Sequence, residues 1–107
     1  MDIEAEALSP TAEGTGPFAT GRKSAITTAV QVIATAQRAV KGVTLVADSA
    51  NTVAVYIGFS NAITDDDADA TDGFPLYPGQ SKYIAIDDAS KIWATADSSS
   101  KLWWMTE

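Results

Sequence analysis

A chain of 107 residues makes one domain, long enough to bury a modest core without staples. Its formal charge of −7, from fourteen acids against seven basic residues, repels nucleic-acid phosphates and anionic membranes and suits a partner with a basic surface. With neither cysteine nor histidine, it lacks thiolate chemistry, the commonest metal ligand and the commonest general base near neutral pH.

Residues Met1 to Gly21 carry Pro10, Gly14, Gly16, Pro17 and Gly21 among few large apolar side chains. That composition predicts an extended N-terminal arm over 1–21, with a folded domain over 22–107. Ile3, Leu8 and Phe18 are the arm's candidate anchors for a partner, since such arms order on binding and can wrap a large surface. No apolar run approaches the ~20 residues needed to cross a bilayer, and the acidic start is the reverse of a signal peptide's basic one. A soluble product is expected.

From Ser24 to Ala36 the β-branched residues Ile26, Thr27, Thr28, Val30, Val32, Ile33 and Thr35 dominate, and a strand is predicted. A helix competes there, because Ala29, Ala34, Ala36 and Ala39 are good helix formers. The stretch Lys41 to Ser60 then reads as two strands joined at Asp48-Ser49-Ala50-Asn51. Val43, Leu45 and Ala47 share one face of the first, and Val53, Val55, Ile57 and Phe59 one face of the second. It is expected to be a hairpin with one apolar face, and the seed of the core.

A polar loop follows over Asn61 to Gly73. Phe74 to Tyr77 is a short extended segment, and Pro78-Gly79 is a turn pair with proline's fixed φ followed by glycine's positive φ. Ser81 to Asp87 alternates, with Ile84 and Ile86 on one face, and Asp87-Asp88-Ala89-Ser90 turns the chain. Lys91 to Ala96 and Lys101 to Thr106 form a last predicted hairpin. About six apolar runs at short spacing with polar turns between them predict an all-β fold, a small β-sandwich or jelly-roll-like domain.

Three features bear on chemistry. Asp65, Asp67 and Asp69 alternate as hard-cation ligands do in calcium loops. Yet Ala70 stands where an EF-hand needs glycine, Leu76 where it needs glutamate, and no helices flank the loop. A solvated acidic tip is the plainer reading, and no cofactor is expected. The aromatic set Trp93, Trp103, Trp104, Tyr56, Tyr77 and Tyr83 offers a surface instead. Adjacent Trp103 and Trp104 point to opposite faces of a strand, so Trp104, with Leu102, suits the core, while Trp93 and Trp103 are candidate partner-binding residues. An exposed tryptophan suits a sugar as well as an interface. Finally, the only bases are carboxylates and lysines. With no nucleophile elbow and no reason for a paired geometry at Asp87 or Asp88, no enzyme and no catalytic residue are expected.

Several segments together resemble a group of small virion proteins and domains of tailed bacteriophages, of the head-decoration, head-fibre or minor structural type. Basic Arg38 and Lys41 precede the first central strand. Asn51, Thr52, Val55, Tyr56, Ile57, Gly58, Ser60 and Asn61 form one recurrent segment. Gly73, Phe74, Pro75, Leu76, Pro78, Gly79 and Ser81 form a second, and Ile92, Trp93, Ala94, Ala96 and Asp97 close the pattern. The chain departs from it in the acidic insertion at Asp65 to Asp72 and in the tryptophan-rich last strand. The resemblance implies a non-enzymatic protein, made in the host cytoplasm, that decorates or cements the capsid surface by binding the major capsid protein. It also implies a homo-oligomer, with a trimer at local three-fold positions the arrangement expected, and no nucleic acid or membrane partner. A tail or fibre-base component and a carbohydrate-binding adhesion module are the alternatives.

Overall fold

The computed structural model describes residues 18–64 and 73–107; the anchors Ile3 and Leu8, most of the predicted arm and the acidic run Asp65 to Asp72 lie outside them. In the described residues the chain forms eight strands: β1 (Thr20–Ile26), β2 (Val30–Gln31), β3 (Val43–Ala47), β4 (Val55–Gly58), β5 (Phe74–Leu76), β6 (Ser81–Ile84), β7 (Trp93–Ala96) and β8 (Ser100–Thr106). A 3₁₀ turn over Ala89–Lys91 precedes β7. Every pairing is antiparallel, in two four-stranded sheets ordered β1-β8-β3-β6 and β2-β7-β4-β5.

This strand order is that of a jelly roll, in which successive strands alternate between facing sheets. Among the described strands only β4 and β5 are consecutive strands that pair. The all-β sandwich expectation therefore holds, but the hairpins within it do not. β3 pairs with β6 and β8, whereas β4 pairs with β5 and β7, so Asp48 to Asn51 arches from one sheet to the other. The predicted final hairpin fails in the same way, with β7 in one sheet and β8 in the other. The Tyr77–Gln80 turn has the expected form, with Gly79 at φ 84 and Gln80 N–H donating to the Tyr77 carbonyl at 2.9 Å. It too carries the chain between sheets.

The single strand expected over Ser24 to Ala36 is two, and no helix forms there. Thr20 and Gly21, placed in the arm by composition, belong to β1 and pair with Met105 and Trp104. A bulge between Lys23 and Ile26, with Ala25 at φ 57, shifts the register so that Ile26 pairs with Ser100, and Ile26 is buried in the core.

The core lies between the sheets because each strand gives one parity to it. In β3 the buried residues are Val43, Leu45 and Ala47; in β8 they are Ser100, Leu102, Trp104 and Thr106. Val55, Ile57, Leu76, Ala94 and Ala96 answer from the second sheet. Phe59, expected on that inward face, lies past the end of β4 and is exposed. Side chains brace the crossings. The Asn51 side chain both donates to the Lys101 carbonyl and accepts from the Lys101 N–H, each at 2.9 Å, and so ties the β3–β4 arch to β8. Three successive amides, Val40, Lys41 and Gly42, converge on the Glu107 carbonyl oxygen and hold the end of β8.

Candidate functional site

The two outer sheet faces are unlike. On the β1-β8-β3-β6 sheet, register places Arg22, Trp103, Val46 and Ser81 in one row and Thr20, Met105, Thr44 and Tyr83 in the next. Trp103 is 42% exposed, Met105 46% and Tyr83 48%. Trp103 and Met105 on β8 and Tyr83 on β6, with Val46 and Thr44 of β3 between them, leave large apolar side chains half in water on a face that a partner would cover. Phe18, 74% exposed, extends it: Phe18, Ala19, Thr20 and Met105 line a shallow groove at the Glu107 end of β8.

Charge on this face is local. The Arg22 guanidinium sits 5.2 Å from the Trp103 ring centroid, a cation–π contact that stiffens both side chains. Asp48, beside them, accepts a hydrogen bond from the Ala50 N–H, which is the main reason its carboxyl lies below the usual value; the Trp103 side chain and the charges of Lys101 and Arg22 add to the effect.

A second apolar groove opens where the edge strands β5 and β6 meet, lined by Ile57, Phe59, Phe74, Lys82, Tyr83 and Ile84. Lys82 lies 5.1 Å from the Phe74 ring centroid. Since Tyr83 belongs to both, the exposed apolar surface runs from Phe18 across the sheet and around its β6 edge.

Of the candidate partner-binding residues, Phe18 and Trp103 share this face. Trp93 does not. It pairs with Gly58 and Gln31 on the other sheet, on the outward side, and is half-buried. Trp104 is 6% exposed, in the core as expected. Ile3 and Leu8, like the calcium candidates Asp65, Asp67 and Asp69, fall outside the described residues. Among the described residues no three His, Cys, Asp or Glu side chains gather closely enough to hold a metal ion.

The Asp87-Asp88 pair is occupied structurally. Lys91 donates to Asp87 at 2.8 Å, which lowers the Asp87 pKa and raises that of Lys91. Asp88 caps the 3₁₀ turn: its Oδ1 accepts from the Gln37 N–H at 2.9 Å, the Ser90 N–H at 2.8 Å and the Ser90 hydroxyl at 2.7 Å. Burial alone would raise the Asp88 pKa, and these hydrogen bonds outweigh it to leave the pKa lowered.

Sequence reasoning missed Arg22 and Met105, and had Tyr83 in the aromatic set without singling it out as a partner-binding residue. The parity of β8 contained the signal for Met105, two residues from Trp103. Arg22 required the β1–β8 register, which joins residues far apart in the chain. No family model, no curated protein and no solved structure matches this chain.

Proposed function

We propose that this chain is a non-enzymatic structural protein of a tailed-bacteriophage virion, which decorates or cements the capsid surface by binding the major capsid protein. The observation that carries the reading is the exposed face around Trp103, Met105 and Phe18, an apolar surface suited to burial against another protein. The jelly-roll strand order supports it as well, being one that capsid domains use, and lectins also. The only carboxylates considered for catalysis within the described residues hold a turn instead. In this reading the arm anchors Ile3 and Leu8 and the face beginning at Phe18 grip the shell, and many weak copies together reinforce the lattice. A trimer at local three-fold positions is the assembly proposed.

The glycan-binding alternative draws on the same Trp103, but Arg22 stands over a ring face on which a sugar would stack. Light scattering on the pure protein, followed by co-sedimentation with particles made without it, tests the proposal. Specific binding that falls about thirtyfold in Trp103→Ser, the loss of a ~2 kcal/mol hot spot, is expected. Failure to bind shells, with glycans instead shifting the tryptophan emission, would overturn it.

A further inference from the structure

The chain's acidity is unevenly spread along its sequence. All seven basic residues lie between Arg22 and Lys101, and the described residues hold five acids, Asp48, Asp87, Asp88, Asp97 and Glu107. The described body is therefore slightly positive. The remaining acids are Asp2, Glu4, Glu6 and Glu13, before any basic residue, and Asp65, Asp66, Asp67, Asp69 and Asp72.

We infer that residues 2–8 of the chain dock on its own outer β1-β8-β3-β6 face, over Trp103 and Met105 and towards Arg22 and Lys101. The inference goes beyond the capsid reading and concerns the free chain, in which the segment covers the face that a shell would take over by displacing it.

Three observations carry it. First, the face is apolar with cations at one end: Trp103, Met105 and Tyr83 are exposed, Arg22 stacks on Trp103, and Lys101 has the same strand parity. Asp48, the acid there, is already engaged by Ala50 and Trp103. Secondly, residues 2–8 match that chemistry, since Asp2, Glu4 and Glu6 alternate with Ile3, Ala5 and Ala7 before Leu8. Glu107, at the opposite end of β8, disfavours an acidic segment there and so sets the direction.

Thirdly, the connection reaches. The chain enters the face at Phe18, and residues 9–17, at roughly 3.3 Å each, span up to about 30 Å. The seven residues of β8 rise only about 23 Å at that spacing. Pro10, Gly14, Gly16 and Pro17 lie within the connector, the residue types with which a chain turns back. A connector this short holds the segment at an effective concentration in the millimolar range, so docking within one molecule prevails over exchange between molecules.

The absence of cysteine gives a clean test in the full-length chain. A nitroxide placed at Ser9→Cys is expected to cause loss of the Trp103 indole N–H and Met105 methyl resonances, leaving the Trp93 indole on the opposite sheet intact. In a mixture of nitroxide-bearing chain without isotope and isotope-labelled chain without nitroxide, the same resonances are expected to persist. Reversing charge with R22E and K101E should abolish the loss, and E4K with E6K in that background should restore it. An unbroadened Trp103, broadening equal at Trp93, loss in the mixed sample, or indifference to the charge reversals would each overturn the inference. None of these outcomes depends on shell binding, so the two readings fail separately.

Discussion

Asp88 joins two segments through one carboxylate oxygen, which accepts from Gln37 in the β2–β3 connection and from Ser90 in the turn before β7. In Asp88→Ala the Gln37 and Ser90 amides lose their acceptor in a partly buried place, and the expected cost is about 2 kcal/mol, read from the denaturant midpoint. The same oxygen sets an acid limit. Because the folded pKa lies below the unfolded value near 3.8, the folded form binds fewer protons. Its contribution is therefore present above the unfolded value and lost as pH falls through the lower folded one. The midpoint should hold between about pH 7 and 5 and drop below about pH 4, and the drop should shrink in Asp88→Asn. Asp48 and Asp87 shift in the same direction, but Asp87 is exposed and Asp48 half-exposed, so solvent screens both. At Ala25, the one non-glycine residue with positive φ among those described, Ala25→Gly removes a steric penalty and should raise stability by up to about 1 kcal/mol.

β8 decides more than any other element. It lies between β1 and β3, contributes Leu102 and Trp104 to the core, and turns Trp103 and Met105 outward. The Trp104 ring lies over Gly21, where an added Cβ would come within 2.5 Å of it. Gly21→Ala should therefore cost about 1–3 kcal/mol by overpacking, and Trp104→Ala about 3–5 kcal/mol by leaving a cavity. In the double variant the alanine meets no ring, so the two costs should fall short of additive in paired denaturation curves. Alternation along β3 and β8 was plain from sequence, as was the outward turn of Trp103, because strand parity is a local property. Pairing was not local. An arch and a hairpin begin from the same polar turn, and Asp48 to Asn51 has residues suited to both. What distinguishes them lies half the chain away, in the bonds that Asp48 and the Asn51 side chain make to Lys101. β2 has two residues and β5 three, one of them Pro75, too few for periodicity to register. Likewise, Trp103 was visible as a candidate, while the arginine above it depended on distant register.

At the scale of the molecule, six of the eight described strands find their partners only in strands beyond their immediate neighbours in sequence, the β4–β5 pair being the local exception. Such wiring predicts one cooperative transition and refolding in the range of milliseconds to seconds, measurable by stopped-flow fluorescence of Trp104. A biphasic equilibrium curve would contradict it. The position of β8 also has a consequence for synthesis. Of the described strands, the one that completes the first sheet is made last, so β1 and β3 wait with open edges and bare apolar faces until β8 emerges. The first sheet cannot close strand by strand as it is made, and the growing form depends on speed or on chaperones to escape strand-edge association.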